Sequence, residues 1–165
     1  MRMLASTLPI EMGYCLNAFI GQVDNLKKIE NKFNSASVVL LTTDIALIPM
    51  TEKLFDEINN YRSGNKLGKW EFLTTDVENE ILALIGNDRL SYVEIEYFGG
   101  QGGQSGIIWK DGKRIFEIEF QQDVVNEILR QFGVVRDKTM MDEFDTVGLA
   151  RHRNTEDWIK DGRVG

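Results

Sequence analysis

"YVEIEYFGGQGGQSGIIWKDGKRIFEIEF", residues 92–120, is the stretch on which the fold turns. Its first seven residues alternate, with Val93, Ile95 and Tyr97 on one side and Tyr92, Glu94, Glu96 and Phe98 on the other, the pattern of a β-strand. Further on, Asp111-Gly112 is the dipeptide of a type I′ hairpin turn, set between two strand-like runs. With those two residues as the loop, Trp109 opposes Arg114 and Ile107 opposes Phe116. Trp109, Phe116, Ile118 and Phe120 are then expected to share the core face. The glycine-rich stretch "GGQGGQSG" (99–106) reads as a bulged loop between antiparallel strands, because glycine supplies the positive φ and local bending that such a connection needs. The whole is a β-meander over about 91–120.

Working outward, "MGYCLNAFIG" (12–21) is mainly apolar with aromatics and reads as a buried strand, after which Asp24 caps a helix, "DNLKKIENKF". "SVVLL" (37–41) reads as an interior strand and "DIALIP" (44–49) as a second short one, ended by Pro49. Thr51 caps "EKLFDEINNY", "SGNKLG" is a loop, and "KWEFL" (69–73) is a strand. Thr75 with Glu78 forms a capping box before "VENEILALIG", closed by Gly86. After the meander, "DVVNEILRQF" is a helix capped near Asp123 and closed by Gly133. Residues 134–165 form a charged, irregular segment with a short helix at "TEDWI", where Trp158 serves as a docking anchor. The expectation is one α+β domain across 1–165, a mixed or antiparallel sheet packed by three to four helices.

Composition narrows the function. The 165 residues carry a net charge of −7, which argues against nucleic-acid binding, since counterion release rewards basic proteins. No apolar run approaches the length of a membrane span, and Ser6, Thr7, Pro9 and Glu11 interrupt the first residues where a secretory leader would need a continuous apolar stretch. Cys15, the single cysteine, cannot form an internal disulfide, so the expected home is the cytoplasm. It reads as a small buried hydrophobe. With one Cys and one His, no structural zinc set can be built, and "DEFD" (142–145) lacks the spacing and central glycine of an EF-hand loop. No metal and no cofactor is expected.

The glycine stretch fails the tests for a nucleotide site. A phosphate cradle needs a helix N-terminus directly after the glycines, whereas a strand follows here, and the third glycine of the dinucleotide spacing falls on Ser105. A nucleophile elbow, G-x-S-x-G, fails where position 107 is Ile107. His152 is the chain's one imidazole, and Ser105 paired with it is the serine-hydrolase alternative.

The carboxylates of the meander are more suggestive. Glu94 and Glu96 lie on one strand and Glu117 and Glu119 on another, each pair spaced by two, so neighbouring strands set four like charges on one face of the sheet. Lys and Arg neighbours can offset them, as on any solvated face, and so can a basic protein partner. Gln101 and Gln104 add adaptable hydrogen-bonding groups beside them. The alternatives are a carboxylate-pair glycoside hydrolase and a small-ligand domain lined by sheet aromatics.

Small size, acidity, a cytosolic profile and an α+β layout without catalytic motifs resemble bacterial immunity-type proteins of polymorphic toxin systems. The resemblance implies an acidic, non-enzymatic binder that masks a basic toxin domain, with Glu94, Glu96, Gln101, Gln104, Glu117 and Glu119 as the expected contact residues.

Overall fold

In the computed structural model, which describes residues 13–161, every paired strand runs antiparallel to its neighbour. The strands are β1 (Tyr14–Gln22), β2 (Val39–Leu40), β3 (Ile45–Pro49), β4 (Leu90–Phe98), β5 (Gln101–Lys110) and β6 (Lys113–Gln121), in the order β2-β3-β1-β4-β5-β6. The α+β expectation is met, with the sheet wholly antiparallel. The N-terminal stretch 1–12, including the Met12 that opened the expected first strand, lies outside the described residues.

Helices cover both faces. One face, carrying Phe19, Ile48, Tyr92, Ile107 and Trp109, packs against α1 (Val23–Lys32), α2 (Glu52–Ile58) and α3 (Thr75–Ile85) through Leu26, Ile29, Leu54, Ile58, Val77, Ile81 and Ile85. The other face, carrying Leu16, Ile20, Leu47, Val93, Ile95 and Ile108, packs against α4 (Val124–Gln131) and α5 (Glu143–Thr146). Covering on both sides explains why β1 and β3 read as mainly apolar runs, since an interior strand has no solvent face to mark with polar residues. It also reverses one expectation. The chain at 44–49 supplies the interior strand β3, while "SVVLL" contributes only the two-residue edge strand β2.

Several local expectations give way to tertiary partners. Asp24 lies inside the first turn of α1, whose N-cap is Gln22. Thr74, not Thr75, caps α3 by accepting from the Val77 amide at 3.0 Å. Glu78 does not reach back to that cap. It accepts from Trp109 Nε1 at 2.8 Å and from Arg114 Nη2 at 2.7 Å, tying α3 to the hairpin. Asp123 occupies the N-cap position of α4 without a capping bond, and Gln104 Oε1, from β5, accepts from the Val125 amide at 2.9 Å instead.

The glycine stretch is mostly strand. Only Gly99 and Gly100, with φ of 63° and 82°, make the turn between β4 and β5. The hairpin turns at Asp111-Gly112 with Trp109 opposite Arg114, as expected. A bulge then shifts the pairing, so that Ile108 opposes Phe116 and Ile107 opposes Glu117. One extra residue on β6 reverses which face each later side chain meets. Trp109 therefore packs toward α3, while Phe116 and Ile118 pack on the opposite face.

Residues 134–161 are ordered by contact with the sheet. Beside the first half of β1, where β3 has ended, the chain at 153–155 runs parallel to it: the Cys15 amide donates to the Arg153 carbonyl at 2.8 Å, and the Asn17 amide to Thr155 Oγ1 at 3.0 Å. Two 3₁₀ turns (Leu149–Arg151 and Thr155–Lys160) flank this run, the second carrying "TEDWI". Trp158 is fully buried, as an anchor should be. Among the described residues, no helix is long and apolar enough to cross a membrane.

Candidate functional site: a carboxylate patch on the sheet

The four glutamates of the meander do share one face. Glu94 and Glu96 alternate with Val93 and Ile95 on β4, and Glu117 opposes Ile107 on the face that carries Tyr92. Most of their charge is met from within the chain. The segment 66–74, expected in part to be the strand "KWEFL", instead folds as a loop over this face and donates its amides to the carboxylates. Glu71 and Phe72 each donate to Glu94 at 2.8 Å, and Lys69 donates to Glu119 at 2.9 Å. Backbone donors that would fill a β-ladder are satisfied by side chains, so no strand forms there. Tyr92 adds its phenol to Glu94 at 2.7 Å. Burial pushes the Glu94 carboxyl up, against the three hydrogen bonds that favour its charged form. Glu117 pairs with Arg114 at 3.4 Å.

Glu96 differs from the other three. It is exposed, and it makes no hydrogen bond or ion pair among the described residues. Directly across the ladder lies Cys15, half-buried rather than enclosed as expected. Its thiol is pushed up, by burial first and then by the charges of Glu96, Glu71, Glu156 and Glu94. Those four carboxylates come from β4, from the loop 66–74 and from the last 3₁₀ turn. A cavity of about 340 Å³ opens beside the thiol, lined by Cys15, Glu96, Tyr97, Phe98, Arg153 and Asn154 among others.

Glu71 and Glu156 are the members that local sequence patterns miss. They sit in an irregular loop and in the C-terminal segment, and no periodicity links them to Glu96. Of the two amides assigned to a partner, Gln101 is exposed at the start of β5. Gln104 is fully buried, and besides capping α4 it donates to the Tyr97 phenol at 3.2 Å, so it is not available to a partner.

The remaining chemistry is dispersed. Ser105 Oγ accepts from the Phe120 amide at 2.9 Å at the second irregularity of the β5–β6 ladder. His152 Nε2 pairs with Asp161 at 2.7 Å, and its ring stands edge-on to Trp158. Strands β4 and β1 lie between the strand of Ser105 and the segment that follows His152, so the two are not brought together. In "DEFD", Asp142 caps α5 and Glu143 pairs with Arg130 at 3.1 Å. Phe19, Tyr92 and Trp109, the sheet aromatics that would line a ligand cavity, are core.

No protein-family model, curated protein or solved structure matches this chain.

Proposed function

We propose that the protein is a non-enzymatic binder of a basic protein, acting in the cytoplasm as a toxin-neutralising immunity protein. The observation that carries this reading is the grouping of Glu94, Glu96, Glu117 and Glu119 on one sheet face, with Glu96 exposed and without a hydrogen bond or ion pair among the described residues. The net charge of −7 has the same sign. Opposite charge steers encounter, and carboxylates at the rim of an interface act mainly on the association rate. A lone, unactivated thiol suits a reducing compartment. The test uses a basic partner captured from native lysate at low salt and then purified. Its association rate is compared between the wild type and a Glu71→Lys/Glu96→Lys double variant by surface plasmon resonance. The rate should fall about tenfold or more at low salt, and the difference should close as salt is raised. An unchanged rate at low salt rejects this surface.

A further inference from the structure

We infer that the uncovered end of this sheet face is a seat for an arginine side chain of the basic partner. The inference rests on the proposed function and specifies the chemistry at its centre. Loop 66–74 lays its amides on Glu94 and Glu119, whereas Glu96, Phe98 and Phe120 stay open to solvent. Phe98 is 83% exposed and Phe120 62%, and both are side chains that burial would stabilise. Strand alternation sets Phe98 on the same face as Glu96, two residues along β4. On the other side, Gly103 opposes Glu96 across the ladder, and the ring of Phe120 lies over it, 3.0 Å from where a Cβ would stand. Glycine at 103 leaves room for that ring, since a Cβ there would press against it. Glu96 therefore stands between two exposed aromatic side chains with its charge unmatched.

A guanidinium suits this arrangement better than an ammonium. It is flat and weakly hydrated, stacks on an aromatic face and presents a fork of N–H donors that a carboxylate accepts in pairs. Lysine brings a compact, strongly hydrated charge that gains less from the rings. Glu71, Glu94 and Glu156 act on the neighbouring Cys15 thiol with the same negative sign as Glu96, while Arg153, which lines the adjoining cavity, is a cation with which an incoming guanidinium competes.

The test is calorimetric titration of hexa-arginine and hexa-lysine peptides into the wild type, Phe98→Ala and Glu96→Gln at low ionic strength. Phe98 is nearly bare, so its truncation should leave the melting temperature unchanged, which a thermal melt checks. Hexa-arginine should bind the wild type about fivefold tighter than hexa-lysine. Phe98→Ala should abolish that preference while keeping the lysine affinity, and Glu96→Gln should weaken both. Equal affinities in the wild type, or a preference that survives Phe98→Ala, overturn the arginine seat and leave the acidic surface standing. Binding by neither peptide overturns both.

Discussion

At Glu94, two carboxylate oxygens accept from the amides of Glu71 and Phe72 and from the phenol of Tyr92. A glutamate that alternation assigns to an open face is thus the fastening for a loop. Glu94→Ala leaves three donors without their acceptor and should cost about 2 kcal/mol, read as a lower denaturation midpoint with an unchanged m-value. A neutral effect would mean that water replaces the carboxylate and that the loop holds itself. Glu96, two residues along, should behave in the opposite way. Its removal should leave stability alone and change the electrostatics at Cys15. Because Glu96 is the foremost charge holding that thiol up, Glu96→Gln should lower the thiol's pKa and speed its alkylation at mildly alkaline pH. The pH–rate profile with iodoacetamide measures this, and an unshifted profile would place Glu96 too far from the thiol to matter.

Among the elements, α3 and β6 are joined by Glu78, whose carboxylate takes the Arg114 guanidinium and the Trp109 indole. Arg114's hydrogen bonds hold the Glu78 carboxyl below the usual range despite its partial burial. A carboxylate depressed in the folded state stabilises above its unfolded pKa, and that stabilisation is lost as pH falls through the folded-state value. Glu78→Gln should therefore cost about 1–2 kcal/mol at neutral pH, and the gap to the wild type should shrink in acid below the ordinary glutamate range. A gap that stays constant down to strong acid would show that shape rather than charge makes the tie. The C-terminal element depends on one side chain in the same way. Trp158 is fully buried, with Arg151 over its ring at 4.9 Å and His152 edge-on at 4.7 Å. Trp158→Ala should cost about 3–5 kcal/mol. Hydrogen exchange at the Cys15 and Asn17 amides, which depend on residues 153–155, should accelerate well beyond exchange in β4. Equal acceleration throughout would make the segment part of the global folding unit.

Over the whole molecule, charge and topology answer to different causes. The charge of −7 is a property of composition, and it supports the expectation that partner association weakens as salt screens it. The alternating strand β4, the hairpin turn at Asp111-Gly112 and the amphipathic helices were legible along the chain, because each rests on periodicity or turn chemistry within a few residues, whereas the glycine stretch, read as a loop, is mostly strand. The grouping of Glu94, Glu96, Glu117 and Glu119 on one face was legible for the same reason. What their charges do was not. Amides arriving from 69–72 and an arginine three residues from Glu117 give three of them partners, and among the described residues Glu96 is left without one. The bulge after Trp109, the cap that Gln104 supplies to α4 and the arrival of Glu71 and Glu156 beside Cys15 are likewise contacts between segments far apart in sequence. The amino-acid sequence by itself determined where strands, turns and apolar faces lie, because hydrophobic period and backbone preference act locally. Only the tertiary structure decided which polar side chains became fastenings and which stayed open. Hydrogen-bond satisfaction is settled by whichever donor or acceptor the folded chain brings within about 3 Å, however distant in sequence.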